Sequence, residues 1–237
     1  WVVKLTNAMI QAKYSVGLTA LTKGADGYLG GSNGQEGESE LVFKDSMCEA
    51  FATLQNQALS NAQVVVITLD IYVQEARRVF KGNVVLTAEQ AIGLEFEWAI
   101  CYRMMECKHA GKLSKRLKPL VSKGLTVKEQ NEGHRGKGQV DSDVVLLEGW
   151  TNALITAFSR ATVRLSIVEE SNRHAVEVLT DWLGQACGKG ALQNNQSAST
   201  HLEWLERAVL LLKAGAGDEA LRVMEANVRD SDAALAA

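Results

Sequence analysis

Residues 63–69 read Gln-Val-Val-Val-Ile-Thr-Leu, and no other stretch of this 237-residue chain restricts its fold as strongly. A strand with one face in water alternates apolar and polar side chains, so an unbroken Val-Val-Val-Ile run predicts a strand covered on both faces. Strands of that kind belong to parallel sheets flanked by crossover helices. The surrounding pattern agrees. Short apolar runs at 39–43, 83–86, 96–102 and 164–168 alternate with amphipathic stretches at 45–60, 72–80, 144–160 and 174–187. The expected unit is a three-layered α/β domain with a mostly parallel sheet.

Other segments fall outside this rhythm. Residues 2–14 carry Val2, Leu5, Met9 and Ile10 at helical spacing. Residues 24–37 hold six glycines with almost no large apolar side chain, which predicts a surface loop. They lack the fixed offsets and the Lys of a phosphate cradle. Residues 108–140 are basic, contain the only proline, Pro119, and end glycine-rich, so they read as an insertion. A polar stretch at 188–199 predicts a linker. Beyond it, Leu202, Leu205, Ala208, Val209 and Leu212, then Ala220, Leu221 and Met224, predict two helices joined near 215–217, like half of a tetratricopeptide-type pair. One such pair cannot support itself, so it either packs on the α/β unit or begins an array. The expected division is 1–187, with the insertion at 108–140, and 188–237. The chain opens on Trp1 without an initiator Met or a secretory signal, and is expected to be a piece of something longer.

Composition narrows the function classes. An apolar fraction of 46% and a charged fraction of 22% are ordinary for a soluble protein. No apolar run approaches the roughly 18–20 residues that span a bilayer. Cys48, Cys101, Cys107 and Cys187 are too scattered for a disulfide framework, and a cytosolic, thiol-bearing protein is expected. Cys101, Cys107 and His109 lack the tight pairs and fourth ligand of a zinc site, so no metal centre is expected. Trp150, Trp182 and Trp204 sit in helical apolar patterns and are expected in the core. The net charge of −3 conceals a patch: residues 103–139 hold ten basic side chains against three acidic, a local charge of +7. Lys112, Lys115 and Arg116 lie within it and suit contact with a nucleic-acid backbone.

The densest chemistry lies in Val-Val-Leu-Thr-Ala-Glu-Gln-Ala-Ile-Gly-Leu-Glu-Phe, residues 84–96. A strand ends at Thr87 and a polar passage leads to the next. Ligands of open α/β sheets sit beyond strand carboxyl ends, so Thr87, Glu89, Gln90 and Glu95 are expected near one. The order also resembles motif V of the UvrD/Rep-like superfamily 1 helicases, T-x-x-x-A-K-G-L-E-F. Thr87, Ala91, Gly93, Leu94, Glu95 and Phe96 match, and Ile92 stands where the family has Lys. About 65 residues later, residues 152–168 resemble motif VI, Y-V-A-x-T-R-A followed by a Leu-bearing strand. Ala157, Arg160, Ala161 and Leu165 match, Ser159 stands for Thr, and Ile155-Thr156 replace Tyr-Val. Residues 2–14 resemble the helix after motif IV, and the likeness covers about residues 1–180.

The resemblance implies a RecA-like domain of the P-loop NTPase type, the second motor half of an ATP-dependent DNA helicase or translocase. Gly93, Glu95 and Arg160 would line the ATP site, Glu95 holding the ribose and Arg160 stabilising charge on the γ-phosphate, where a planar guanidinium suits phosphoryl transfer. Thr87 and Gln90 would touch a single strand of DNA or RNA. No GxxxxGK[ST] sequence is present, so ATP and Mg2+ would be held mainly by an N-terminal motor domain of the longer chain. The alternative is a degenerate helicase-like domain acting as an interaction or regulatory module, with the C-terminal helical pair as a protein-docking surface.

Overall fold

A computed structural model describes residues 38–45, 47–106, 142–170 and 198–229. The expected helices at 2–14 and 174–187, the glycine-rich loop, the basic insertion and most of the polar linker lie outside these residues.

Five strands form one sheet: β1 (Glu38–Phe43), β2 (Val64–Thr68), β3 (Val84–Thr87), β4 (Phe96–Tyr102) and β5 (Ala161–Glu169). Their order is β1-β5-β4-β2-β3, and every pairing is parallel. Interior strand β2 is buried at all five positions, as its unbroken apolar run requires. Helices α1 (Cys48–Ala58) and α2 (Val73–Val79) cover one face, α2 following a 3-10 turn at Asp70–Tyr72. Helices α3 (Ser142–Phe158), α4 (His201–Lys213) and α5 (Gly217–Met224) cover the other.

Alternation along the strands sorts the core into two halves. Val65, Ile67, Leu86, Ala99, Cys101, Leu165 and Ile167 face α3, α4 and α5, whose Trp150, Leu154, Phe158, Trp204, Leu211 and Val223 complete that layer. Val64, Val66, Val85, Trp98, Ile100 and Tyr102 face α1 and α2 through Phe51, Leu54, Ala76 and Phe80. The C-terminal helical pair is therefore built into the same core as the sheet. Trp150 and Trp204 are buried, and Trp150 Nε1 donates to the Met104 carbonyl at 2.7 Å.

The predicted helix at 144–160 stops at Phe158, and β5 begins at Ala161 rather than 164. Ser159 N donates to Ile155 O and Arg160 N to Ala157 O, a tight exit that lets Ala161 pair with Phe96 at once. Edge strand β3 would expose unpaired amides. Instead Glu219, buried on α5, accepts from Val85 N and from Arg77 and Arg222, Arg222 donates to the Asn83 carbonyl, and Asn227 donates to that of Gly82. The sheet edge is sealed against pairing with another strand.

Candidate functional site

Parallel strands normally need a crossover of a dozen or more residues, yet only residues 88–95 connect β3 to β4. Ala88, Ala91 and Leu94, three residues apart, are buried against the sheet. Ala91 N donates to Thr87 O and Leu94 N to Ala91 O, which keeps the passage tight as it crosses from the carboxyl edge to the amino edge. Gly93 turns it at φ +80°, a conformation natural to glycine.

This short crossover separates residues that the sequence groups together. Thr87 lies at the carboxyl end of β3, in register with Thr68 and through it with Tyr102. Glu95 directly precedes Phe96 at the amino end of β4. Seven residues of strand lie between the two levels, about 20 Å at strand rise. Glu95 thus sits at the edge opposite to the one expected from the strand-end rule, because the whole connection runs back beneath the sheet.

At the amino edge the structure brings Gly93, Glu95 and Arg160 together. Phe96 N donates to Arg160 O at 3.0 Å, and Arg160 Nη1 donates to Leu94 O at 3.0 Å. Arg160 Nε donates to Thr156 O at 3.2 Å and Nη2 to Ser159 Oγ at 2.9 Å, so the guanidinium also closes the C-terminus of α3. Burial draws this guanidinium below its ordinary pKa, and the neighbouring Glu95 carboxylate opposes the shift. Glu95 is exposed, as are Ile92 and Gly93, while Arg160 is half-buried. The edge presents a carboxylate acceptor beside a partly available cation.

No family model matches the chain, and neither a curated protein nor a solved structure matches it.

A further arginine holds this edge, and the sequence reading did not find it. Arg207 of α4 is buried; Nε donates to Ala62 O at 2.8 Å, Nη1 reaches Glu95 O at 3.4 Å, and Nη2 donates to Gln63 Oε1. Its guanidinium lies 4.4 Å from the Phe96 ring centroid. The signal was a charged residue inside the otherwise apolar inward stripe Trp204, Ala208 and Leu211. Thr87 and Gln90 bond each other reciprocally, Thr87 N to Gln90 Oε1 at 3.0 Å and Gln90 N to Thr87 Oγ1 at 3.2 Å. Lys112, Lys115 and Arg116 lie outside the described residues.

The opposite edge carries a second charged cluster. Connections from β2 and β4 lead in opposite directions, so the topological switch point lies between Thr68 and Tyr102. Arg103 occupies it with φ +51°, bonding Glu75 at 2.7 Å and Glu106 at 2.6 Å and stacking 4.1 Å from the Tyr72 ring centroid. Tyr102 OH donates to Glu75 at 2.7 Å, and Lys44 pairs with Glu170 at 3.0 Å. Glu169 is buried; its Oε1 accepts from Met105 N at 2.9 Å while Oε2 has no partner. Burial pushes its carboxyl up to about 8, and the charge of Glu106 adds to the shift. The pair Glu169-Glu170 ending a buried strand was the available signal. Among the described residues, no group of three His, Cys, Asp or Glu side chains could hold a metal ion. Cys101 is buried in β4, which raises its thiol pKa, and Cys48 is exposed. No described helix is long and apolar enough to cross a membrane.

Proposed function

We propose that this domain is the second, RecA-like motor half of a UvrD/Rep-like DNA helicase or translocase, presenting the amino edge of its sheet to ATP held by another domain of a longer cytoplasmic chain. One observation carries the reading: the Gly-Leu-Glu and Ser-Arg-Ala segments, 66 residues apart at their bonded positions, meet through Arg160 Nη1 and Leu94 O. Two motifs of one site must converge, and these do. The residue chemistry fits the ligand. An exposed Glu95 carboxylate can accept from a ribose hydroxyl, and Arg160 keeps guanidinium donors beyond the three nitrogens' present bonds for a phosphate oxygen. Mg2+ would be held by the other domain. The nucleic-acid track would run along Thr87, Gln90 and the basic segment of Lys112, Lys115 and Arg116, with single-stranded DNA or RNA as partner.

The test is steady-state ATPase activity of a chain carrying both domains, with and without single-stranded DNA. Arginines that stabilise transferring phosphoryl groups contribute on the order of 10³-fold or more to kcat, so Arg160→Ala should abolish the stimulated rate. Glu95→Gln should raise KM for ATP with kcat little changed. Unaltered turnover in Arg160→Ala would remove the assignment.

The second reading, a non-catalytic interaction or regulatory module, has its own support. Ile92, where the family carries Lys, is 64% exposed, and Arg160 bonds Thr156, Leu94 and Ser159 within the domain. On this reading no domain pairing yields DNA-stimulated hydrolysis.

A further inference from the structure

Glu95 lies one residue before the first β4–β5 pair, Phe96 with Ala161, and three before the first β2–β4 pair, Val64 with Trp98, so neither ladder holds its backbone. Two arginines hold it instead. Arg160 Nη1 donates to the Leu94 carbonyl at 3.0 Å, which fixes the peptide group before Glu95. The peptide group after it is gripped at both ends: Arg207 Nη1 donates to the Glu95 carbonyl at 3.4 Å, and Phe96 N donates to the Arg160 carbonyl at 3.0 Å. Peptide groups are planar, so fixing the two that flank Glu95 fixes its φ and ψ. The direction in which its exposed side chain leaves the backbone is fixed with them.

Packing alone does not ask for an arginine at 207. Its neighbours on the inward face of α4, Trp204, Ala208 and Leu211, are apolar, and burying a guanidinium costs free energy that an apolar side chain of similar length avoids. The acceptors it reaches, Ala62 O, Gln63 Oε1 and Glu95 O, all lie at the amino ends of β2 and β4. The helix that carries it is itself anchored. Ser199 N donates to Ser60 O at 2.7 Å and Ser199 Oγ accepts from Ala62 N at 3.0 Å, so the start of α4 and Arg207 are tied to the same 60–63 turn.

We propose, resting on the nucleotide reading given above, that Arg207 is a positioning residue: from α4 it sets the Glu95 backbone so that the exposed carboxylate meets the ribose hydroxyls. The C-terminal helical pair is thereby part of the nucleotide site, because the helix that carries Arg207 decides where Glu95 stands. A carboxylate held in place before the ligand arrives loses less freedom on binding, and that saving appears in affinity rather than in turnover.

Two measurements test this, with circular dichroism confirming that each variant is folded. The first is amide exchange in the 237-residue chain. Leu211→Ala, which destabilises the same buried face of α4 without touching Glu95, is the control. Exchange at Phe96 should be about tenfold faster in Arg207→Met than in that control. Arg207→Lys, which keeps the charge and loses the planar fork, should lie between them, and it carries the same comparison should the Met variant not fold. The second is steady-state ATPase activity of the chain carrying both domains. Arg207→Met should raise KM for ATP about tenfold with kcat within about twofold, and it should add nothing further to Glu95→Ala, since it acts through that side chain. Equal Phe96 exchange in Arg207→Met and Leu211→Ala would overturn the proposal. So would an unchanged KM in an active chain, or a KM effect that persists undiminished in the Glu95→Ala background. A wild-type chain without ATPase activity would instead remove the nucleotide reading itself, and this role for Arg207 with it.

Discussion

Arg160 Nη1 donates to the carbonyl oxygen of Leu94 at 3.0 Å, joining the turn that precedes β5 to the loop that precedes β4. This bond makes Arg160 a structural tie as well as a candidate for phosphate contact, and the two roles can be separated. Hydrogen bonds from a charged donor contribute about 1.5–3 kcal/mol each, so Arg160→Ala should lower stability by about that much in urea denaturation of this domain alone. Arg160→Lys, which keeps a charge and loses the planar fork, should recover part of the stability. A variant as stable as wild type would show that the tie carries no weight.

Gly93→Ala isolates backbone conformation from packing. An added Cβ would meet nothing within 4 Å, while φ is +80°. The cost should therefore come from the left-handed backbone alone, about 1–2 kcal/mol. Faster amide exchange at Leu94 and Phe96 than in the core of β4 would accompany it. No change in stability would mean that the loop relaxes to a negative φ.

Glu219 is the acid on which the β3 edge depends. It is buried and accepts from Val85 N, Arg77 and Arg222. Removing one partner of a buried ion pair leaves the others uncompensated and typically costs about 3–5 kcal/mol. Glu219→Ala should therefore unfold at markedly lower urea, and it should aggregate on storage because the Val85 amide is freed for strand pairing. Glu219→Gln, which retains an acceptor, should be the milder variant.

Arg164 and Glu40 form the corresponding pair on the opposite face. Arg164 donates to Glu40 at 2.7 Å and to Gln57 at 3.1 Å, lies 4.0 Å from the Trp98 ring centroid, and shares Glu40 with Ser166, which in turn accepts from Trp98 Nε1. Glu40→Leu alone should cost about 3–5 kcal/mol by stranding the arginine. Adding Arg164→Met should restore much of the loss, a coupling that a double-mutant cycle reads directly.

Glu169 makes stability depend on pH in the unusual direction for a carboxylate. Its folded pKa is raised to about 8 by burial, against an ordinary value of 4.5. The folded state holds the proton more tightly, so its contribution is complete below the unfolded pKa and is lost as pH rises through 4.5 towards 8. Wild-type Tm should fall across that window, and Glu169→Gln should remove this component of the decline. An identical profile in the variant would show that Glu169 ionises at its ordinary pKa.

Much of the layer order was legible in local pattern. Val64 to Thr68 are buried on both faces because four successive apolar residues, Val64 to Ile67, leave no side for water. The helices α1, α3 and α4 were legible from apolar spacing, within a few residues at their ends. The convergence of Arg160 on the Gly-Leu-Glu turn was expected from motif resemblance. What local pattern cannot encode is the partner of a charged side chain. Arg207, Arg164, Glu219 and Glu169 each meet groups more than 60 residues away, and local sequence can mark a charge as buried without naming those groups.

The sequence by itself determined the class of sheet, because unbroken apolar strands must be covered twice, and it determined that a short polar passage through Gly93 would follow Thr87. Only the tertiary structure decided which edge each polar group reaches. The brief crossover at 88–95 carries Glu95 to the amino edge beside Arg160 and leaves Thr87 about 20 Å away, since strand direction and register are set by pairing between distant segments. Only it decided, too, that one face of α4 is consumed by the core and the other left exposed, because the packing of the helix against the sheet, and not its own periodicity, selects which of two apolar stripes is buried.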